Sequence, residues 1–356
     1  MANPKQKDPS AAQRREKQRQ ERQQRLAGSQ NNRSTGTRAQ ARSRGPAQRK
    51  SSRRQWLWTG GILALIAAII VVFVVISRAQ SSGSANAPTL ASSQVFNAVT
   101  QVDPNVLAAV GTGGVTNPLK AVNGSPPVLT GSTGKPEFLY VGAEYCPYCA
   151  AERWSMVVAL SRFGTFSKLY QTTSSSTDAY PSTPTFTFYS ALYSGPVYSS
   201  SYIDFVPVET QGNVQNSSGN YPTLQTPTAA QQNLLNTYDA PPYTDASSAG
   251  SIPFIDIGNR YVLSGASYSP QDLSNLQWQD IANDLADPNS TVSKDILGTT
   301  NYLTAALCTM THQQPGNVCN MPAIQSIEQS IGKAVGPGVP QIAVSGQLEA
   351  VMRRQD

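Results

Sequence analysis

The sequence predicts an α/β domain held outside a membrane by a single transmembrane helix, and three observations carry that prediction. A short apolar strand, Phe138 to Val141, runs through a brief turn into Cys146-Pro147-Tyr148-Cys149. The next residues, Ala150 to Phe163, place Trp154, Met156, Val157, Val158, Leu160 and Phe163 at largely helical spacing. Upstream, Leu57 to Ile76 is a run of 20 residues interrupted only by Thr59 and the Gly60-Gly61 pair. The third observation is that all four cysteines, Cys146, Cys149, Cys308 and Cys319, follow that run.

About 20 apolar residues at about 1.5 Å rise cross a hydrocarbon core. Arg53-Arg54 precede the run, Arg78 follows it, and Trp56 and Trp58 sit where interfacial aromatics are expected. The positive-inside rule puts the N-terminus in the cytoplasm and the cysteines on the extracytoplasmic side, where disulfides form and persist. A cleaved signal peptide ending near Ala85-Asn86-Ala87 is the competing reading; its basic leader and apolar segment would both be too long.

Charge is divided sharply along the 356 residues. Residues 1–54 hold 16 Lys/Arg and three acids, whereas the remainder carries 11 basic and 18 acidic residues. Segment 1–54 is rich in Gln, Arg and Ser and too poor in large apolar side chains to form a core, so a disordered cytoplasmic tail is expected. Next to a span its charge suits anionic headgroups. No base-reading module accompanies it, so nucleic acid is not assigned as a partner.

The expected organisation is a tail (1–54), a transmembrane helix (55–78), a linker and lead-in (79–134), an α/β domain (135–290) and a C-terminal helical extension (291–356). Two short helices are expected between Ser92 and Val110, the second capped by Asp103 with Pro104 at its first position. A Ser/Thr/Tyr-rich insertion at about 172–250 would form a solvated lid or a substrate surface. Strands are expected at Ser167–Thr173, Thr185–Tyr189 and Tyr202–Val208, with Pro207 placing the last at an edge or bulge. Thr228 to Tyr238 reads as a helix. Ile252 to Ser264 reads as a hairpin with a two-residue Gly258-Asn259 turn. Further helices are expected over 270–285, 291–297, 302–309 and 322–335.

The Cys146–Cys149 pair carries the chemistry. A thiol at a helix N-terminus has its thiolate favoured by exposed N–H groups and the helix dipole. Two intervening residues then let Cys149 attack a mixed disulfide formed at Cys146. Zinc is the rival reading, with Cys146, Cys149, Cys308, Cys319 and His312 as candidate donors; the proline between the cysteines and the strand-to-helix setting favour redox chemistry. Cys308 and Cys319 bracket a short loop, and a structural disulfide between them would stabilise by about 3 kcal/mol. A sharper reading makes them a second redox pair relaying to the first.

Strand, C-x-x-C, helix and a later hairpin opening on Ile-Pro resemble the thioredoxin fold over roughly 135–288. Ala143-Glu144-Tyr145-Cys146 is similar to the entry into the thioredoxin motif, and Cys-Pro-Tyr-Cys to that of glutaredoxins. With the span, the likeness moves toward membrane-tethered, DsbA-type oxidoreductases. A family of single-span thioredoxin-like proteins from actinobacteria and archaea, domain of unknown function 929, resembles the chain in both cysteine pairs. The resemblance implies that Cys146 attacks, Cys149 resolves, Pro253 is a cis-proline facing them, and Ile252 pairs with an extended substrate. It implies protein thiol or disulfide substrates, a membrane-bound reoxidase or reductase as partner, and no cofactor beyond the redox-active disulfide. The family pattern departs at Tyr140, where thioredoxins bury an acid, and at Pro147-Tyr148, where DsbA-type enzymes carry a histidine. Glu144, expected to be exposed at the strand exit, is the candidate proton acceptor. A non-catalytic envelope binding or assembly module with two structural disulfides is the alternative class, and glutathione-dependent chemistry a third. The direction of exchange is left open by the sequence.

Overall fold

The computed structural model describes residues 87–333. The tail, the expected span at 57–76 and residues beyond 333 lie outside the described residues. Among the described residues no helix is long and apolar enough to cross a membrane.

Strand β3 (Glu137–Gly142) is buried at every position. Successive side chains in a strand point to opposite faces, so Phe138 and Tyr140 enter one core while Leu139 and Val141 enter another. A strand apolar on both faces belongs inside a sheet. β3 lies between β8 (Asp204–Glu209) and β9 (Phe254–Ile257), and β10 (Tyr261–Ser264) and β2 (Lys120–Ala121) complete the order β2-β10-β9-β3-β8. β8 runs parallel to β3, pairing Glu137 with Asp204 through to Gly142 with Glu209; the other pairings are antiparallel. Pro207 sits on this edge strand, where its missing N–H is tolerated.

Helix α3 (Pro147–Ser161) is buried from Cys149 through Leu160. It has no solvent face because α6 (Thr291–Met310) covers the side turned from the sheet. Ser155 Oγ donates to Ile296 O at 3.0 Å, and Thr300 Oγ1 donates back to Ser155 O at 3.2 Å. The sequence suggested separate helices at 291–297 and 302–309; α6 is instead one helix of 20 residues. Gly298, which looks like a break, is the point where the backbone of Thr112 packs, and a β-carbon there would strike the Thr112 carbonyl. Close approach, not chain reversal, explains that glycine.

The lead-in is part of the same body. β1 (Thr89–Leu90) pairs with β5 (Tyr170–Thr173), which pairs with β6 (Pro184–Thr187), and β4 (Gly164–Phe166) pairs with β7 (Tyr198–Ser200). α1 (Ser93–Thr100) and α2 (Pro104–Val110) bury Val95, Val99 and Leu107, and Asp103 caps α2 through Asn105 N–H. On the other face of the sheet, α4 (Ala229–Tyr238) sets half-buried Leu234, Leu235 and Tyr238 against Leu139, Val141 and Phe254. Fully burying each large apolar side chain contributes about 1.5–3 kcal/mol.

Three further expectations change. Residues 172–250 are not a separable lid: they supply β8 to the main sheet, and Phe186 and Phe188 to the core. Within this segment, all four residues of β6 are buried, with Thr185 Oγ1 bonded to Ala150 O at 2.8 Å and Thr187 Oγ1 to Glu144. The hairpin loop has three residues, 258–260, since Ile257 pairs with Tyr261. Gly258 and Asn259 have φ of 61° and 55°, and the carbonyl of the additional residue, Arg260, accepts from Val122 N–H at 2.9 Å. Segment 270–285 is a 3₁₀ turn (Pro270–Leu273) and a short helix α5 (Trp278–Asp284), separated where Asn275 adopts φ 66°. The closing elements are α7 (Gly316–Cys319) and α8 (Pro322–Lys333).

Candidate active site

Cys146 is the N-cap of α3, with Pro147 in the first turn, where its missing N–H costs nothing. The cap is made by sulfur: Cys149 N–H donates to Cys146 Sγ at 3.3 Å. On its other side, Cys146 Sγ lies 3.7 Å from Ile252 O, in the loop whose Ile252-Pro253 bond is cis. The thiol pair and the Ile252-Pro253 loop, 106 residues apart in sequence, therefore meet. Cys146 is 5 % exposed and Cys149 is fully buried. Of the two, only Cys146 reaches the surface.

The two thiols differ electrostatically. A hydrogen bond from the Cys149 thiol is the main cause lowering the Cys146 pKa below its ordinary value; burial opposes it, and the Cys149 amide and the Arg153 cation assist. Burial and the neighbouring sulfur push Cys149 well above its ordinary value. Of the two sulfurs, Cys146 is thus the one whose thiolate is favoured, with the Cys149 thiol as its donor.

Beneath the pair lies a charged group that the sequence reading missed. Arg153, one turn along α3 from Cys149, is completely buried and forked onto Glu209 at the end of β8, with Nε to Oε1 at 3.0 Å and Nη2 to Oε2 at 2.6 Å. Nη2 also donates to Ala143 O at 2.8 Å. The signal was present as Glu152-Arg153, two charges in an otherwise apolar helix. Glu152 is buried too, accepting from Ser267 N–H at 3.0 Å, and burial pushes its pKa up to about 7.

Glu144 overturns its expected exposure. It is buried and accepts a 2.5 Å bond from Thr187 Oγ1. Burial, then the Glu209 carboxylate, pushes its pKa up to about 7. Tyr140 places its ring 5.6 Å from Arg153 Cζ and edge-on to Phe188. Its hydroxyl has no hydrogen-bond partner, and neither does Arg153 Nη1.

Tyrosines surround the exposed side. Tyr145 stacks on Tyr221 at 4.4 Å between ring centroids, and Tyr148, 42 % exposed, meets Tyr180 edge-on at 5.9 Å. Both partners come from the 172–250 segment.

Cys308 and Cys319 are bonded to each other, with Cα atoms 5.5 Å apart, and both are buried in the α6–α7 corner. Their sulfurs are therefore not free to join a zinc site with Cys146 and Cys149. Among the described residues no group of three or more His, Cys, Asp or Glu is placed to hold a metal ion.

One family model, described as Domain of unknown function (DUF929), matches residues 129–309. That match runs from just before β3 to the end of α6 and takes in the C-x-x-C helix, Arg153, Glu209 and Pro253. No curated protein and no solved structure matches the chain. Half of the sequence, including every residue gathered around Cys146, thus falls within the match, and the chain belongs to the DUF929 family.

Proposed function

We propose that the protein is a thioredoxin-like thiol–disulfide oxidoreductase, tethered by 57–76 and acting outside the membrane on secreted or envelope proteins. The observation that carries this reading is the Cys146 sulfur, capping a helix, hydrogen-bonded by Cys149 and facing the Ile252-Pro253 loop. A central strand leading to C-x-x-C, a parallel neighbour and an antiparallel hairpin beginning after a cis-proline support the thioredoxin-like assignment.

In the oxidising direction a substrate thiolate attacks the Cys146 sulfur of the Cys146–Cys149 disulfide and Cys149 leaves as a thiolate. A second substrate thiol then attacks the mixed disulfide, and Cys146 leaves. Two electrons and two protons pass from substrate to the pair, and a membrane-bound oxidant restores it. Stabilising the Cys146 thiolate stabilises the reduced pair, which favours this direction over reduction of substrate. Ile252 sets its carbonyl 3.7 Å from the reacting sulfur, and an extended substrate would pair with the backbone there.

The narrow exposure of Cys146 favours a second reading, an assembly module whose thiols are inert. Trapping separates the two. Cys149→Ala should accumulate substrates as mixed disulfides on Cys146, and the wild type should reduce insulin in the presence of dithiothreitol. A Cys146 that resists alkylation in the native reduced protein and gives no insulin reduction sinks the enzyme reading.

A further inference from the structure

Resting on the exchange reading, we propose that Tyr140, backed by the buried Arg153 cation, donates its hydroxyl to the Cys149 sulfur as that sulfur becomes a thiolate. The resolving step, attack of Cys149 on a mixed disulfide at Cys146, is then governed from β3 and not by a buried acid.

The geometry points there from three sides. Tyr140 OH is fully buried and has no partner, a costly condition for a hydroxyl. Gly142 fixes where that hydroxyl sits: a β-carbon on Gly142 would run into Tyr140 OH and come within 3.1 Å of Cys149 Sγ. Tyr140 and Cys149 therefore close on the same small space, kept open by the absent side chain. The second unpartnered donor, Arg153 Nη1, lies on the guanidinium that packs over the Tyr140 ring. A neutral thiol is a weak acceptor and does not draw these donors in; a thiolate does.

The chemistry requires such help at Cys149 more than at Cys146. Once Cys146 is joined to substrate, its negative charge is gone and its sulfur no longer receives the Cys149 proton. Cys149 must lose that proton to solvent. It then attacks Cys146 Sγ; the Cys146–Cys149 bond forms, the bond to substrate breaks, and the electron pair leaves on the substrate sulfur, which is protonated in turn. The charged and titratable groups around Cys149 in this state are Tyr140, Tyr145, Arg153, Glu209 bound to Arg153, and Glu144 beside Glu209. The Ala143 backbone amide already bonds the Cys149 sulfur, and the unpartnered side-chain donors are the Tyr140 hydroxyl and Arg153 Nη1, whose guanidinium is committed to Glu209 by its other two nitrogens.

Dithionitrobenzoate reads the two steps separately in the full-length protein. Reduced Cys146 releases one thionitrobenzoate on forming the mixed disulfide, and Cys149 releases a second on resolving it. Tyr140→Phe should leave the first phase within about twofold of wild type and slow the second by at least about tenfold, the loss expected for a hydrogen bond to a charged group. The midpoint of the second phase against pH should rise by about one unit, because a thiolate without its donor forms at higher pH. The substitution removes only an unpartnered hydroxyl, and a thermal midpoint no lower than that of wild type would show that folding is intact. A second phase unchanged in rate and pH midpoint, behind a normal first phase, overturns this inference alone. Wild-type protein that releases no thionitrobenzoate overturns it together with the exchange reading.

Discussion

The chain carries two cysteine pairs, and their surroundings could hardly differ more. Cys146 and Cys149 are free thiols at the start of α3, above a buried Arg153–Glu209 ion pair, a buried Glu144 and an unpartnered tyrosine. Cys308 and Cys319 are bonded and packed among apolar residues, including Leu307, Val318 and Ile324. The first pair sits where charge can be stabilised and one sulfur meets solvent; the second sits where neither condition holds. Cysteine chemistry is set by thiolate character and access. On the proposed reading the first pair reacts and the second gives mechanical support.

The largest expected effect is on activity. Cys146→Ser should reduce insulin reduction to background, while the double variant Cys308→Ala, Cys319→Ala should keep its rate per folded molecule. Loss of exchange in the double variant would instead make the second pair a relay and break the contrast.

Next comes the ion pair. Glu209→Ala leaves Arg153 buried without its counter-charge, and removing one partner of such a pair costs about 3–5 kcal/mol. Urea unfolding should show that loss. A change below about 1 kcal/mol would mean that water reaches Arg153, and that the cation has less influence on the thiols than its burial implies.

A smaller effect is expected at the structural pair. Opening the loop between Cys308 and Cys319 should lower stability by about 3 kcal/mol in the chain-entropy view, measured as a shift in urea midpoint with the slope compared between variants.

The smallest concerns pH. Glu152 lies on α3, the helix that runs from the reactive pair to the α6 interface, and burial raises its pKa to about 7. An acid whose folded pKa exceeds its unfolded value binds more protons when folded, between about pH 4.3 and 7. Its contribution to stability therefore falls as pH rises through that window and is flat above it. Glu152→Gln should remove this slope and stabilise the protein by about 1–2 kcal/mol at pH 8, less than the full linkage of about 3–4 kcal/mol because the carboxamide cannot accept both Ser267 bonds, with little effect at pH 4. Equal gains at both pH values would point to packing and not to charge.

Much of this was legible in the chain. The apolar run at 138–141, Pro147 after Cys146 and the helical spacing beyond it place the thiol pair at a strand-to-helix junction. Asp103-Pro104, Thr228 and the Gly258-Asn259 turn mark their elements because capping and left-handed backbone are local chemistry. The errors have a common source. Gly298 reads as a helix break when only local propensity is considered, yet it is where a distant backbone approaches. The burial of β6 on both faces is hidden in the same way, because nothing near Thr185 and Thr187 reveals that the Ala150 carbonyl and Glu144 satisfy their hydroxyls.

The sequence by itself determined that a C-x-x-C pair opens a helix, since that spacing at a strand-to-helix junction is a property of a dozen adjacent residues. It determined the family as well, through residues 129–309. The tertiary structure alone decided what lies under that sulfur. Arg153 and Glu209 are 56 residues apart, Glu144 and Thr187 are 43 apart, and the Tyr140 hydroxyl and the Cys149 sulfur both border the space left by the missing side chain of Gly142. Periodicity and capping propagate along the chain and can be read from it. A buried charge takes its energy from whichever group the fold brings opposite it, and pairing at that distance leaves no local trace.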